Sequence, residues 1–421
     1  MYPPAGGPNN NILSCKLELF GYKNMIISKK TIRCYLLSKQ FLLPPQSLQG
    51  QSGINKVFST IHSIQFDPQN PCGTNVDLVL QARVKDIHPS DYYLWLYKQR
   101  RGIECYDKEL CVVPIADLEL CRKSVDNVFR QRRIEKFIQK NRAEFNQLIL
   151  RIDQEGEISA TQIKNNQKVK TFWGNPRWSK AALDVLWKSG ELVISKRQNG
   201  RKYFDLPQKV YGEKYKWANC DKLRAEHIIR RIKSIGFLPK SGTRQGWLGI
   251  GKGREIILIV GKLLKNGVLT EVKVENTKKS YVMLSADFKF LKSTEKCRII
   301  PKMVFLAPLD NLLWDRGMVK EIFDFEYKWE AYTPKNQRRY GHYVLPILHG
   351  DKFIGRIEPR QIGNSLEIRC LWIEPYVRWT RELEESFYSC LDKFGKYLNI
   401  KIVRWLCEKP KCSAWPNKNR A

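Results

Sequence analysis

The sequence predicts an α+β chain in which three tandem winged-helix units precede a C-terminal, β-barrel-like α+β domain. Three observations predict it. The stretches LWKSGELVISKRQNGRKYFDL (186–206) and LLKNGVLTEVKVENTKKSYVML (263–284) each run from a helix end through glycine into two strands joined by a polar turn, so one unit is used more than once. A helix–turn–helix pattern stands before each. After about residue 295 the pattern changes to longer strands around one late helix. At 421 residues the chain exceeds what one core usually fills. The expected partition is a loose N-terminal extension (1–27), units at 28–125, 126–215 and 216–294, and the barrel-like domain at 295–421.

In the first unit TIRCYLLSKQFL reads as a helix. Ile54, Val57, Phe58 and Ile61 then repeat at helical spacing and run into IHSIQFDPQNP (61–71). There the period changes to two: Ile64 and Phe66 point to the core, Gln65 and Asp67 share the other face, and Pro68 stops the segment. A helix at PSDYYLWLYKQRR (89–101) and strands IECY and LCVVP complete the unit. In the second, QLILRIDQEGEISATQIKN (147–165) reads as helix, turn, helix. Ser179 caps a further helix carrying Ala182, Leu183, Leu186 and Trp187, and Gly190 supplies its left-handed terminator. Strands at about 191–197 and 201–206 flank Asn199-Gly200, a two-residue hairpin signal. The third unit has helices HIIRRIKSIG (227–236) and EIILIVGKLLKNG (255–267) and its hairpin. In the C-terminal domain YGHYVLPILHGDKFIGRIEP (340–359) is a hairpin turning at Gly350-Asp351, followed by the strand NSLEIRCLWIEP, the helix RELEESFYSCLDKFGKYLN (381–399) and the strand IKIVRWLC (400–407).

Lys and Arg number 74 against 42 Asp and Glu, a formal charge of +32. A surplus of that size, spread through the chain, points to a polyanionic partner. Twelve cysteines are scattered without a Cys-x-x-Cys pair and five histidines are dispersed, so reduced thiols in the cytosol are expected rather than a zinc site. No run of about eighteen apolar residues marks a membrane span, and MYPPAGGPNNN does not resemble a signal peptide. GIGKGRE (249–255) lacks the spacing of a phosphate loop and reads as the approach to a helix; neither a nucleophile elbow nor a His-x-x-x-His pair occurs. No cofactor or metal is expected.

The candidate site residues follow from charge and position. Lys196, Arg197, Arg201 and Lys202 surround the second unit's turn, where a hairpin can clamp phosphates; a solvated hairpin is the plain alternative. Tyr106, Asp107 and Lys108 lie on the first hairpin, where an aromatic flanked by charge can probe a duplex or pack as a hairpin tip. Trp173, Trp178 and Trp217 sit near basic residues, but tryptophan is more often core, and they carry no assigned role. Gln65 and Asp67 form a Gln-x-Asp pair on a strand; for them a solvated turn is the alternative.

FLAPLDNLLWDRGMVKEIFDFEYKWEAYTPKNQRRYGHYVLPILHGDKFIGRIEPR (305–360), with LWKSGEL and the Gln65-x-Asp67 strand, resembles the tandem winged-helix DNA glycosylases of the AlkZ/YcaQ type, from about residue 28 to the C-terminus. The resemblance implies a monofunctional base-excision enzyme that hydrolyses the N-glycosidic bond of N7-alkylated purines and can unhook interstrand crosslinks without a deep base pocket. It also implies a catalytic Gln-x-Asp pair of the YcaQ-like form, with Asp67 activating water and Gln65 positioning it. The RRYGHYVLPILHGD stretch adds Arg338 and Arg339 as DNA contacts, and Arg83 retains a basic family position. Where relatives show Glu-Tyr-Trp-x-His on the first hairpin, this chain has Glu104-Cys105-Tyr106-Asp107-Lys108, a departure that bears on substrate range. The implied partner is damaged double-stranded DNA, bound by a cytoplasmic, nucleoid-associated monomer. The rival reading is a non-catalytic tandem winged-helix DNA-binding protein or regulator, which would prefer one undamaged sequence over others.

Overall fold

Ile54, Val57, Phe58 and Ile61, the four apolar residues at helical spacing, are fully buried, and the first unit is built on them. The computed structural model describes residues 26–121, 135–165, 167–169, 174–215, 223–241 and 245–409. In chain order the first unit holds strand β1 (Ile26–Ile27), helices α1 (Lys29–Lys39) and α2 (Gly50–Ile61), strand β2 (Ile64–Gln65), helix α3 (Asn75–Gln81) and the hairpin β3 (Gly102–Tyr106) and β4 (Leu110–Pro114). A capping box between Thr74 and Asp77 starts α3. The helix expected over 89–101 is shorter, with a π-helical turn at Leu94–Lys98. The chain then doubles back at Gly102, where a Cβ would fall 2.0 Å from the Trp95 ring.

The second unit holds α4 (Arg142–Glu155), α5 (Trp178–Ser189), β5 (Val193–Gln198) and β6 (Arg201–Asp205). Gly190 terminates α5 at φ 85°, as its sequence position requires. Asn199 and Gly200 take φ 51° and 75°, the two positive values of a type I′ turn. Ser179 is not the cap of α5. Arg177 is, because the Trp178 amide donates to Gln167 O at 2.7 Å and its ring is buried, which starts the helix earlier. The third unit holds α6 (Arg224–Ile235), β7 (Leu238–Pro239), α7 (Gly253–Lys265), β8 (Leu269–Val274) and β9 (Ser280–Leu284).

In all three units a short segment between helices pairs antiparallel with the second hairpin strand: Ile64 with Val112, Ile158 with Phe204, and Leu238 with Val282. The units are nevertheless interlocked. Strand β1 pairs in parallel with β8 of the third unit, Ile26 opposite Lys273, so residues 26 and 27 do not belong to a loose extension. Tyr35, Leu36 and Leu37 of α1 share a core with Ile228, Ile232 and Phe237 of the third unit. A second core joins the first unit, the second unit and the C-terminal domain.

That domain is a five-stranded sheet in the order β10 (Met303–Phe305), β11 (Leu345–His349), β12 (Lys352–Ile362), β13 (Ser365–Ile373) and β14 (Ile402–Trp405), the last pair parallel. Helix α8 (Arg316–Phe323) lies between β10 and β11, and helix α9 (Arg381–Tyr397) between β13 and β14. The expected barrel is an open half-barrel. Its edges β10 and β14 do not pair, and Phe387 and Phe394 of α9 pack on Phe305 of β10 at 5.9 and 5.5 Å between ring centroids. No described helix is long and apolar enough to cross a membrane.

One ion pair ties the pieces together. Arg83 is fully buried and donates from Nη1 to Asp310 Oδ2 at 2.7 Å and from Nη2 to Asp310 Oδ1 at 2.8 Å. Nη2 also reaches Gln40 Oε1 at 3.2 Å, and Gln40 Nε2 donates to Ile235 O of the third unit at 3.0 Å. Arg83 is therefore a structural residue. Removing one partner of such a buried pair leaves a bare charge, so Asp310→Ala is expected to destabilise by roughly 3–5 kcal/mol. Scanning calorimetry checks this; an unchanged unfolding midpoint would remove the pair from its tying role.

Candidate active site

The strand carrying Gln65 is two residues long, too short to hold itself. Ile64 pairs with Val112 and Gln65 with Cys111, and the Phe66 amide donates to Leu110 O at 2.8 Å. Ile64 and Phe66 are buried, as the alternation predicts, and the Arg197 guanidinium lies 4.3 Å over the Phe66 ring. Asn75, fully buried at the start of α3, donates to Gln65 O at 2.8 Å and accepts the Leu309 amide at 3.0 Å, so it ties the strand to the C-terminal segment. The turn from α2 into the strand is made by His62 at φ 58°, an unfavourable value for a residue with a Cβ. Its Nδ1 lies 2.8 Å from Asp117 Oδ2, and Arg230 of the third unit completes the cluster at 2.9 Å from Asp117 Oδ1.

The hairpin that pairs with this strand is gripped from both sides. Glu104, 2% exposed, accepts Arg197 Nε at 2.9 Å and Nη2 at 2.6 Å from the second unit, and Tyr97 Oη donates to it at 2.5 Å. Asp107, 5% exposed, lies 2.5 Å from Arg231 Nη2 and 2.8 Å from His227 Nε2 of the third unit. Burial alone would raise the Asp107 carboxyl; Arg231, and after it His227, more than reverse this and hold it well below the usual carboxylate range. Gly249 permits the close approach of the third unit, since a Cβ there would fall 2.1 Å from Asp107 O.

Among the described residues Asp67 has no such cation bonded to it. It is 8% exposed; Oδ1 accepts the Gln69 amide at 2.9 Å and Oδ2 accepts Tyr332 Oη–H at 3.1 Å. Burial raises its pKa above the ordinary 3.8, an effect that these two hydrogen bonds and nearby His342 only partly offset. Two residues earlier, at the end of the strand, Gln65 Oε1 is buried and has no hydrogen-bond partner among the described residues. The arrangement is a desolvated carboxylate with spare lone pairs two residues from an unmet acceptor, which can hold and deprotonate a water. Tyr332, its hydroxyl partner, is itself 74% exposed. A cavity of about 330 Å³ lies elsewhere, between His349, Tyr376 and Arg378 of the C-terminal domain. Among the described residues no group of three His, Cys, Asp or Glu could hold a metal ion.

The family model for AlkZ-like DNA glycosylases matches residues 60–397, a span containing Gln65, Asp67 and Tyr332. The chain belongs to this family. The DNA glycosylase AlkZ of Streptomyces sahachiroi has a similar fold, with a TM-score of 0.63 at 14% identity over 90% of this chain and 99% of that one. An AlkZ-like DNA glycosylase hydrolyses N-glycosyl bonds in DNA, which names the polyanion that the +32 charge attracts.

The basic residues expected on the DNA of this AlkZ-like enzyme fall into two sets. Arg201 and Arg339 are exposed, and Lys196, paired with Glu157, keeps 41% of its side chain in water. Arg338 is half-buried and donates from Nε to Thr333 O at 2.8 Å. Lys202 is half-buried too, 3.1 Å from Asp184 and 4.6 Å over Trp187. Arg197, by contrast, is buried on Glu104, so the sequence placed a structural arginine on the DNA. The first hairpin is a packed tip: Tyr106 lies 5.6 Å from the Trp187 ring, and the Lys108 amine lies 5.3 Å over Trp314. Burial, with Arg231 and Arg316 close by, lowers Lys108 to about 8. Trp178 is core, whereas Trp173 and Trp217 lie outside the described residues. Tyr332, His227, Arg230 and Arg231 escaped the sequence reading. Tyr332 does lie within WEAYTPKNQRRYGHYVLP, the stretch that carried the resemblance.

The two sets separate by experiment. Arg197→Ala strands a buried Glu104 and is expected to cost roughly 3–5 kcal/mol of stability. Arg201→Ala is expected to leave the thermal midpoint unchanged while weakening duplex binding and reducing the salt slope by about one. Thermal unfolding and salt-titrated binding check both, and the reverse pattern would invert the assignment.

Proposed function

We propose that this AlkZ-like glycosylase removes N7-alkylated purines from duplex DNA, with water as the nucleophile and an abasic site as the product. The observation that carries the reading is Asp67: a buried carboxylate bonded to no cation among the described residues, two residues from the unmet Gln65 Oε1 and hydrogen-bonded to the exposed Tyr332. Alkylation at N7 already places positive charge on the base, so the leaving group needs no general acid. What the bond cleavage still needs is negative charge beneath an oxocarbenium-like sugar and a base for the attacking water. Asp67 supplies both, and Gln65 holds the water. His342, close to Asp67, is lowered by burial and by Arg338, so at neutral pH it stays neutral and leaves the carboxylate unpaired.

In this reading the three helix, strand, helix and hairpin units act as tandem winged helices that hold the duplex, with Arg201 and Lys196 among the phosphate contacts. A site bordered by the exposed Tyr332 also suits a purine still tethered to the opposite strand, which makes interstrand crosslinks a further substrate class.

Release of N7-methylguanine from methylated duplex DNA, with a chelator present, tests the proposal. Asp67→Asn is expected to lower the rate by about 10²-fold or more. The unfolding midpoint should not fall, because a carboxyl whose folded pKa is raised is destabilised in its charged form at neutral pH, and the amide removes that charge. The wild-type rate should decline as pH falls through the Asp67 pKa, and since burial raises that value, the acid limb should lie above 3.8. Equal release by both proteins would sink the mechanism. No release by either, together with protection of one undamaged sequence in footprinting, would favour a binding protein.

A further inference from the structure

Tyr332 combines two properties that rarely go together. The residue is 74% exposed, yet its hydroxyl donates at 3.1 Å to a carboxylate on a residue that is 8% exposed. The loop that carries it is closed on itself at Glu330, a residue 4% exposed. The Glu330 side chain accepts the Arg339 amide at 3.1 Å and the Tyr340 amide at 2.9 Å, and its main-chain oxygen accepts the Thr333 amide at 2.9 Å. Arg338 Nε adds a bond to Thr333 O at 2.8 Å. Trp329 supports the ring edge-on at 5.3 Å and stands edge-on to buried Tyr343 at 6.3 Å. An exposed aromatic is thus carried by a fixed loop with its hydroxyl on Asp67.

We propose that Tyr332 is the positioning residue that couples nucleotide binding to the catalytic carboxylate: its ring takes the face of the damaged nucleotide while its hydroxyl fixes the orientation of Asp67. The proposal rests on the assignment of Asp67 as the catalytic carboxylate. Stacking on an exposed aromatic is sequence-tolerant, because every base presents a π face, and it needs no enclosing pocket. A hydroxyl bond to the carboxylate narrows the directions from which Asp67 can accept the water proton. It also favours the ionised form, so its loss moves the acid limb of the rate profile to higher pH. Burial and Asp67 raise the Tyr332 phenol above its ordinary value, so it remains the donor.

Two variants separate the ring from the hydroxyl. Tyr332→Phe is expected to lower the single-turnover rate of N7-methylguanine release by about tenfold and to shift the acid limb upward. Its affinity for a duplex carrying the non-cleavable 2′-fluoro analogue of the same nucleotide should be unchanged. Tyr332→Leu is expected to show the same rate loss and, in addition, an affinity for the analogue weaker by roughly tenfold. Because the side chain is exposed, both variants should unfold at the wild-type midpoint. A Phe variant with wild-type rate and acid limb, or a Leu variant with wild-type affinity, overturns the proposal. Asp67→Asn run in parallel keeps the two failures apart: if it is as active as wild type the underlying assignment falls, and if it is inactive while Tyr332→Phe is not slowed, only the role of Tyr332 falls.

Discussion

Glu104 and Asp107 are two buried carboxylates on one hairpin, and the position of Asp67 depends on both. The strand bearing Gln65, with Asp67 just beyond its end, is too short to fix itself and borrows its geometry from the hairpin through the Ile64–Val112 and Gln65–Cys111 pairings. The hairpin in turn is set by Arg197 from the second unit and by Arg231 and His227 from the third. Burying such ions is costly, and well-packed apolar groups would often give equal stability. What ion pairs add is direction: a bidentate guanidinium accepts one orientation of its carboxylate, so three segments remote in sequence are locked in one geometry.

The same residue type has opposite uses a short distance apart. Asp107 and Asp67 are both buried, and desolvation pushes both carboxyls upward. Cations within hydrogen-bond reach reverse the shift at Asp107 and leave an inert structural charge. At Asp67 a tyrosine hydroxyl and one amide do not suffice to reverse it. The difference between the two carboxylates is the paired guanidinium, which Asp107 has and Asp67 lacks among the described residues.

The interlocking of the units serves the same end. Helix α6 supplies His227, Arg230 and Arg231, which hold the hairpin tip and the turn into the strand of Gln65, and Arg83 with Asp310 fixes the C-terminal segment against the first unit. That segment delivers Tyr332 to Asp67 across 265 residues of sequence. Separate beads on a string could bind DNA, but they could not hold a carboxylate and its partner to fractions of an ångström.

Local chemistry was legible in the sequence. The Asn199-Gly200 turn, the glycine terminator of α5, the shift from helical to strand period before Gln65, and the hairpin at Gly350-Asp351 all depend on neighbours in the chain, and all formed where the residues required. The expected strand is shorter than its pattern: it holds Ile64 and Gln65, and Asp67 follows it just outside. Long-range partnership was not legible. Nothing local distinguishes Arg197, buried on Glu104, from Arg201, four residues on and exposed, because both are arginines on a basic hairpin. Nothing local marks Ile26–Ile27 as a strand of the third unit, closes or opens the C-terminal sheet, or brings the Tyr332 hydroxyl to Asp67. The sequence by itself determined which residues could do chemistry and how each short stretch would fold. Only the tertiary structure decided which charges would be paired, because pairing depends on which segments burial brings together, and burial is a property of the whole chain.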